Sequence, residues 1–449
     1  MNFDKAVSMT QDFANAKGLE YEIYLFDAKI LKMEAEDSKI SSYTDAVSNG
    51  FSLRFKKNNK ISFSYCSGLD EDKAANSLNN CFSLLGLTED NADIAFSSAK
   101  IDENNLSKNN LGIYSDNFFN INIEDKKNNL IEMEEAAYSF DKRIYKVDKP
   151  SYSEVLISKR LVNSCGIDMS SKKTHYEIFL SAASKNNDEN ASGYDFDASS
   201  EFNSLKFKKV AMNGAKKAID QLGARIVESG KYRILFDNIT SSELLSILKQ
   251  SFYASSVYKK KSLLEGKIDS KVFSEKLTII DDGTLFGGYG TDIFDGEGTA
   301  MQKKILCHNG VIKTYLYDIE YANKFKTKST GNSRRSSHKE LPELGTTNFF
   351  IETGKKSFID TLNSIKDGLY ITELMGLHMA KPYTGEFSLG ASGFFVKNGQ
   401  FDFPVKGIVL SGNIINLFNN IIEIADDIRF MGNIGSPSIL IDDVQVSGK

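Results

Sequence analysis

Residues Lys328–Arg335 read KSTGNSRR, a basic, glycine-containing stretch that follows a strand-like pattern. On either side of it, the pairs Asn309-Gly310 and Asn398-Gly399 each separate two apolar-rich runs. Asn and Gly accept the positive φ angles of tight hairpin turns, so each pair predicts a β-hairpin. The predicted hairpin strands are Ile305–His308 with Val311–Tyr317, and Phe394–Lys397 with Gln400–Phe403. The stretch therefore lies in a region dominated by antiparallel strands.

The same half of the chain opens with a predicted strand, Tyr232–Phe236, followed by a helix. Thr240 and Glu243 have the spacing of a capping box at the start of this helix. Apolar residues then recur at helical spacing, which indicates a helix anchored in the core. They are Leu244, Leu245, Leu248 and Phe252. An apolar helix at about Asn413–Ala425 and a last strand, Ser438–Ile441, complete this half.

The first half mixes helix and strand patterns and ends near residue 225, after Gly223. Its predicted helices are at about 2–17, Glu71–Leu85, Ile123–Phe140 and Ser204–Leu222, and its predicted strands are Tyr21–Phe26, Gly50–Phe55, Ile61–Tyr65 and Tyr152–Ile167. The polar segments 87–120 and Lys185–Ser199 are predicted to be irregular, the second as an exposed loop. We predict an α+β fold of two domains: an N-terminal domain of sheet and helices, 1–225, and a strand-rich C-terminal domain, 226–449.

Composition narrows the class of protein. The chain has 449 residues, 41% of them hydrophobic and 26% charged, which is enough to bury a large core. A formal net charge of −5 argues against direct nucleic-acid binding. The N-terminus does not resemble a signal peptide, and no stretch reaches the roughly 18 apolar residues of a membrane span. The four cysteines are far apart without CxxC spacing, which argues against a zinc ribbon or a disulfide framework. We expect a cytoplasmic location and no membrane association.

Few residues have the spacing of a known catalytic site. The four histidines are His175, His308, His338 and His378. None forms HExxH, and the chain has neither GxSxG nor a P-loop. Cys307 and His308 are adjacent in a predicted strand, where neighbouring side chains point to opposite faces, so a shared metal ion is disfavoured. His338 is interpreted as a solvated loop histidine, with a catalytic base as the alternative. The GGYG of Gly287–Gly290 lacks the third glycine of a dinucleotide fingerprint and is interpreted as a flexible loop.

Several motifs, in order and in register, resemble the TldD/PmbA family, also called modulators of DNA gyrase. They are VFSEKLTIIDDGT at Val272–Thr284, FDGEGTAMQKKILCHNGVIKTYLYD at Phe294–Asp318, STGNSRR at Ser329–Arg335, GEFSLGASGFFVKNG at Gly385–Gly399, GNI at Gly412–Ile414 and RLVNSCGID at Arg160–Asp168. The resemblance is strongest from about residue 230 onward. It implies a cytoplasmic two-subunit peptidase, in which a TldD-type subunit carries zinc on an HExxxH helix and a C-terminal cysteine.

This chain departs from the TldD-type subunit. In the corresponding helix, Leu245, Ser246 and Gln250 occupy the places of the two histidines and the glutamate, and Arg429–Pro437 contains no cysteine. The resemblance therefore implies a TldE/PmbA-type subunit, without a catalytic or metal-binding residue of its own. No cofactor is expected in this chain, and zinc is expected in a TldD-type partner. The expected partners are that homologous subunit, or a second copy of this chain, and an unfolded peptide.

The candidate peptide-binding or interface residues are Gly331, Asn332, Arg334, Arg335, Asp295 and Glu297. Guanidinium groups suit carboxylates, so Arg334 and Arg335 are predicted to contact the peptide or its carboxylate. The alternative is that these arginines form salt bridges with Asp295 or Glu297, either at the subunit contact or within the fold. The turn containing those two acids is interpreted as structural rather than as an acid/base pair.

Three classes of function remain open. The first is a non-catalytic subunit of a heteromeric metallopeptidase that degrades or processes unfolded peptides. The second is a homodimeric peptidase with an unrecognised site, for example one using His308 or His338. The third is a binding protein that modulates DNA gyrase or another partner without proteolysis.

Overall fold

The computed structural model describes residues 1–98 and 111–449. Its helices are α1 (Phe3–Lys17), α2 (Glu71–Leu84), α3 (Ile123–Phe140), α4 (Phe207–Asp220), α5 (Asn238–Leu248), α6 (Ala254–Tyr258), α7 (Ile319–Lys324), α8 (Phe358–Asn363) and α9 (Ile414–Asn419). The predicted irregular segment 87–120 lies partly outside the described residues. Its described part contains the 3₁₀ turn Phe118–Asn120 and the end of the 3₁₀ turn Leu85–Leu87.

The strands fall into three six-stranded sheets and one short pair. In the first half they are β1 (Glu20–Glu36), β2 (Lys39–Lys57), β3 (Lys60–Ser67), β4 (Ile144–Asn163), β5 (Asp168–Asn186) and β6 (Glu189–Ser199). In the second half they are β7 (Gly230–Phe236), β8 (Ile279–Asp282), β9 (Lys303–His308), β10 (Val311–Ile312), β11 (Ser333–Arg334), β12 (Glu343–Leu344), β13 (Phe349–Ile351), β14 (Asp367–Met375), β15 (Glu386–Lys397), β16 (Gln400–Asn413), β17 (Ile421–Ile424), β18 (Arg429–Met431), β19 (Ile434–Ser436) and β20 (Ile439–Ser447).

The first sheet is antiparallel, in the order β3-β2-β1-β4-β5-β6. Along β5 the side chains alternate between buried and more exposed positions, the pattern of a strand with one face on a core. Helices α1 and α2 pack on one part of the sheet, where Phe13 stacks on Phe55 at 5.7 Å between ring centroids. Helices α3 and α4 pack on another part, around the fully buried Leu130 and Met133.

The predicted exposed loop at Lys185–Ser199 is wrong, because most of it is strand β6. This strand pairs with β5 across a tight turn in which Asn187 has φ 52°. Its polar composition suggested a loop because β6 is an edge strand and, of its side chains, only Asp195 is buried. An edge strand can keep polar side chains on both faces and still form its ladder through the backbone.

The second half contains the other two large sheets. One has the order β10-β9-β8-β13-β19-β18, and the other has the order β16-β15-β14-β7-β20-β17. In the latter sheet, β16 also pairs with β20, with Leu410 opposite Val446. This additional pairing closes five strands into a ring. The ring strands are β7, β14, β15, β16 and β20. Both predicted Asn-Gly hairpins are present, with positive φ at each Asn and Gly.

Helix α5 belongs to the core of the second half, and it contacts β19, β14 and β18. Leu244, Leu245 and Leu248 are each at most 1% exposed, as the predicted apolar face requires. The predicted capping box at Thr240 and Glu243 is wrong. Asp237 caps the helix instead, three residues earlier, and its carboxylate accepts a hydrogen bond from the Thr240 amide at 2.7 Å. Since Asp237 directly follows β7, the helix begins as soon as the strand ends.

The predicted helix Asn413–Ala425 is only half correct. Helix α9 ends at Asn419, and the next residues form β17, which pairs with β20. The stretch after Asn420 is rich in β-branched isoleucine, and a neighbouring strand decides its conformation.

The predicted α+β class is confirmed. Helix α4 ends at Asp220 and β7 begins at Gly230, so no described strand is shared between the sheets of the two halves. Within the described residues, no helix is long and apolar enough to cross a membrane.

Candidate functional site

Two connected hollows lie between the first sheet and the second half of the chain. The inner cavity has a volume of about 310 Å³ and the outer groove about 770 Å³, and both are lined by His175 and Tyr289. The walls of the inner cavity come from β1, β4 and β5 on one side, and from the segments around Asp292 and Ser333 on the other. The outer groove runs between β6, the loop Leu285–Tyr289 and the segment 428–433.

Lys159 and Asp292 neutralise each other at the inner cavity. Their side chains form a 2.8 Å salt bridge, and Ser171 donates a 2.6 Å hydrogen bond to the same carboxylate. Burial alone would raise the pKa of Asp292, but Lys159, with Ser171 and Lys173, holds that pKa below its usual value. Asp292 is therefore an anion already occupied by protein groups.

Lys173 is held by backbone oxygens in this cavity. Its ammonium donates to the carbonyl of Tyr289 and, at 3.1 Å, to that of Thr291. Burial, with the positive charges of Arg334 and Lys159, lowers the pKa of Lys173 to about 8, although Asp292 acts in the opposite direction. Lys173 has no carboxylate within salt-bridge distance among the residues that the structure describes.

Arg334 approaches the same loop from the other wall. It lies in β11, which pairs with β12, and its guanidinium donates to the carbonyl of Gly290 at 3.2 Å. The aliphatic part of the Arg334 side chain packs against Gly345, where an added Cβ would lie 2.6 Å from the Arg334 Cγ. In the described parts of the chain no carboxylate is paired with this guanidinium.

Arg335 is committed to a buried ion cluster. Its side chain is 1% exposed, pairs with the carboxylate of Glu22 and donates to Ser52 at 3.2 Å. Arg54 binds the same carboxylate through two donors, at 2.9 and 2.8 Å. Burial would raise the pKa of Glu22, but the two arginines hold it below its usual value. Arg335 thus joins the two halves of the chain.

Asp295 and Glu297 form a structured turn. The carboxylate of Asp295 accepts hydrogen bonds from the backbone amides of Glu297, Thr299 and Ser333, at 2.9 to 3.0 Å. Glu297 pairs with Arg54 at 3.4 Å, yet burial and the neighbouring acid Asp295 raise its pKa to about 8. Within the described chain, neither arginine pairs with these acids, because Arg335 pairs with Glu22 and Arg334 donates to the Gly290 carbonyl. A salt bridge at a subunit contact stays a prediction.

Gly331 and Asn332 position the basic strand. Asn332 is fully buried and donates to Asp281 at 2.9 Å and to the Gly345 carbonyl at 3.0 Å. Gly331 has φ 69°, and an added Cβ would lie 2.5 Å from the Ala300 carbonyl oxygen. Of the six candidate residues, Asp295, Arg334 and Arg335 therefore line the inner cavity, whereas Gly331, Asn332 and Glu297 do not.

The loop Gly287–Thr291 is fixed rather than free. Asn348 accepts the Gly290 amide at 2.7 Å and donates to Thr291 Oγ1 at 2.8 Å. A Cβ on Gly290 would lie 2.3 Å from the Thr347 carbonyl oxygen. The interpretation of this segment as a flexible loop overlooked Asn348, which is distant in sequence. Lys173, Lys159 and Tyr289 were also missed, and no local pattern distinguishes them.

The places of the zinc motif do not fit a metal. Leu245 is fully buried in the core, Ser246 donates to the Glu243 carbonyl at 2.6 Å, and Gln250 lies in a 3₁₀ turn. None of these three residues is one of the usual metal ligands His, Cys, Asp or Glu. Residues 1–98 and 111–449 also contain no group of three His, Cys, Asp or Glu side chains that could hold a metal ion. No step through zinc can be derived for this chain.

The structure also places the histidines that the sequence singled out, His308 and His338. Cys307 is buried while His308 is exposed, as expected for neighbours in a strand. His338 is wrongly interpreted as a solvated loop residue: it is 1% exposed, and burial lowers its pKa. Its Nε2 lies 3.4 Å from Ser67 Oγ.

Comparison with proteins of known sequence gives consistent matches. The chain is 30% identical to an uncharacterised protein of Methanocaldococcus jannaschii over 94% of this chain and 95% of the relative. It is also 30% identical to the metalloprotease PmbA homologue of Buchnera aphidicola, over 73% of this chain and 71% of the relative.

Two solved structures have the same fold. A Thermotoga maritima protein described as a candidate modulator of a DNA gyrase matches with a TM-score of 0.90 at 24% identity, covering 99% of this chain and 100% of the other. TldE from Thermococcus kodakarensis matches with a TM-score of 0.85 at 19% identity, covering 99% of each chain.

Family models match almost the whole chain in sequence order. The PmbA/TldA metallopeptidase domain 1 matches residues 21–84, the central domain matches 116–222, and the C-terminal domain matches 229–448. The chain therefore belongs to the PmbA/TldD metallopeptidase family.

Proposed function

We propose that this chain is the TldE/PmbA-type subunit of a cytoplasmic two-subunit metallopeptidase, which holds unfolded peptide while a TldD-type partner supplies the zinc site. The observation that carries this proposal is helix α5 and the turn after it. Leu245 and Gln250 stand in the places of the two histidines, Ser246 stands in that of the glutamate, and Leu245 is part of the core. Without a metal-activated water, a subunit contributes through binding and orientation of the substrate.

The outer groove supports the peptide-holding role. It lies between β6 and β18, which are each the last strand at one edge of their sheets. An edge strand presents unpaired backbone groups, and an extended peptide can add to it through main-chain hydrogen bonds that tolerate many sequences. Aromatic side chains line the same groove and can cover apolar peptide side chains; they are Phe179, Tyr194, Phe196, Phe286, Tyr289 and Phe430.

Arg429 links the two edges of the groove. From β18, its guanidinium donates to the Asp195 carboxylate at 2.7 Å and to the Phe196 carbonyl at 2.6 Å. This contact keeps the two edges at a fixed separation, so the groove exists before a peptide arrives. A preformed groove lowers the ordering cost of binding.

The test is reconstitution. The purified chain and an HExxxH-bearing homologue from the same genome are assayed separately and as a mixture, with zinc content and cleavage of an unfolded protein as readouts. We expect both zinc and cleavage in the mixture, more cleavage than the homologue gives alone, and neither activity nor zinc in this chain by itself.

The matched control is a homologue variant in which the first histidine of HExxxH is replaced by alanine, which should leave the mixture inactive. Cleavage by this chain alone would instead support a homodimeric peptidase with another site. A mixture no more active than the homologue would overturn the proposal and favour a non-proteolytic binding role.

A further inference from the structure

We infer that the inner cavity is a binding site for a peptide carboxylate, held between the ammonium of Lys173 and the guanidinium of Arg334. The inference deepens the proposed function and rests on it, because it names the group of the peptide that this chain recognises. The carboxylate belongs either to the C-terminus of the peptide or to an acidic side chain.

The first argument is convergence. Lys173 comes from β5 of the first sheet and Arg334 from β11 of the second half, yet both donate to one short stretch of backbone. Lys173 donates hydrogen bonds to the carbonyls of Tyr289 and Thr291, and Arg334 donates one to the carbonyl of Gly290, which lies between them in sequence. Asn348 fixes this stretch, so the two cations have a defined relative position.

The second argument is charge. The other two cations that line the cavity are already paired, Lys159 with Asp292 and Arg335 with Glu22. Lys173 and Arg334 are bound only to neutral carbonyls within the described ranges. Asp292 acts on Lys173 only at a distance beyond a salt bridge, so two cations without a directly paired carboxylate in a partly desolvated cavity create a positive potential there. The negative charge of a bound carboxylate would offset this positive potential.

The third argument is hydrogen-bonding capacity. An ammonium has three N–H donors and a guanidinium has five, arranged as a fork that suits a carboxylate. Two donors of Lys173 and one of Arg334 are used by the loop carbonyls. Each cation therefore retains donors for a ligand without giving up its contact with the loop.

The acids at the cavity do not compete for these donors. Asp295 accepts hydrogen bonds from three backbone amides, Asp292 is bound by Lys159 and Ser171, and neither carboxylate contacts Lys173 or Arg334. The cavity also adjoins the outer groove, because both are lined by His175 and Tyr289, whose rings meet edge to face at 4.7 Å. A peptide lying in the groove can thus place a carboxylate in the cavity.

The experiment measures fluorescence anisotropy of labelled extended peptides with the full chain. One pair of peptides differs only in a free or amidated C-terminus, and a second, amidated pair differs only in an internal Glu or Gln. A charge-assisted hydrogen bond contributes about 1.5 to 3 kcal/mol, so we expect about tenfold or greater weakening when the recognised carboxylate is removed.

The protein variants are Lys173→Met and Arg334→Gln, with Lys172→Met as a matched control because Lys172 is exposed on the opposite face of β5. In each of the first two variants, removing the carboxylate should weaken binding clearly less than in the unmodified chain, because one of the two cations that hold it is lost. The control should discriminate as the unmodified chain does. Since the peptide pairs need no variant, the test holds even if a variant folds poorly.

The outcomes separate the possibilities. Weakening on amidation identifies the C-terminus, and weakening only on the Glu-to-Gln change identifies an acidic side chain. Equal affinity for all four peptides overturns the carboxylate inference and leaves the proposed function standing. If none of the peptides binds, the peptide-holding role and the inference both fall.

Discussion

Two adjacent arginines have different surroundings, although the sequence presents them as equivalent. Arg335 is buried against Glu22, whereas Arg334 is half-buried with a backbone carbonyl as its partner. We expect Arg335→Met to lower the free energy of unfolding by about 3 kcal/mol or more, because it leaves a buried carboxylate with one partner fewer. Arg334→Gln should lower it by less than about 1 kcal/mol. Urea unfolding monitored by circular dichroism measures both.

Equal stability losses in the two variants would contradict this assignment. The peptide-binding role predicted for Arg334 does not depend on the result, since it stays a prediction for the binding assay. The partner of Arg335 could not have been anticipated from sequence, because Glu22 lies 313 positions away. Both arginines line the inner cavity, and the peptide contact predicted for them stays a prediction. Local sequence cannot distinguish a buried, paired arginine from one without a carboxylate partner.

The lowered pKa of Lys173 predicts that peptide binding depends on pH. Its pKa in the free protein is lowered to about 8 by burial, together with Arg334 and Lys159 and against the effect of Asp292. A bound carboxylate favours the charged ammonium, so affinity should be highest below pH 8 and fall as Lys173 loses its proton above pH 8. Peptide titrations from pH 6.5 to 9.5 should show this decline.

The Lys173→Met variant provides the control for that titration. It should bind carboxylate peptides more weakly below pH 8 and show no decline above it. An unchanged decline in this variant would assign the titration to another group.

At the scale of elements, the loop Gly287–Thr291 depends on one glycine. Gly290→Ala would place a Cβ 2.3 Å from the Thr347 carbonyl, so the loop must move away from Asn348. We expect a stability loss of about 2 kcal/mol, by the usual cost of overpacking, and faster proteolysis within the loop. Gly86→Ala is the matched control, since nothing lies within 4 Å of its added Cβ. Equal proteolysis of both variants would show that the loop is not anchored there.

The elements were predictable where the signal was local. Asn309-Gly310 and Asn398-Gly399 carry turn chemistry in the residues themselves, and both hairpins are present. Strand β6 was missed because its ladder depends on β5 and not on its own polar side chains. The predicted start of α5 is wrong because Thr240 and Glu243 have the spacing of a capping box, whereas the carboxylate of Asp237, directly after β7, is the cap.

At the scale of the whole molecule, Glu22 connects the two halves by binding Arg54 from the first sheet and Arg335 from the second half. We expect Glu22→Gln to reduce the free energy of unfolding by about 3 kcal/mol or more, because two buried guanidinium groups lose their shared anion. Differential scanning calorimetry should show a lower melting temperature and a broader or divided transition. Glu20→Gln is the matched control, because Glu20 is half-exposed and pairs with Lys56 at the surface.

An unchanged single transition in Glu22→Gln would mean that other contacts join the halves. The division into domains 1–225 and 226–449 stays a prediction, and this experiment bears on how independently the halves unfold. The α+β class could be predicted from the alternation of helix and strand patterns. The closure of five strands into a ring could not, since it depends on pairings between distant segments such as β16 and β20.

The position of β7 in its sheet imposes an order on folding during synthesis. β7 lies between β14 and β20, and β20 is Ile439–Ser447. All strands of the first sheet precede α4, so their pairing can form while translation continues, whereas the ring must wait until β20 has left the ribosome. In the interval, the apolar side chains of β7 and α5 have no complete core to enter, which favours chaperone binding. We therefore expect ring closure, with its distant pairings, to be the slow step of refolding.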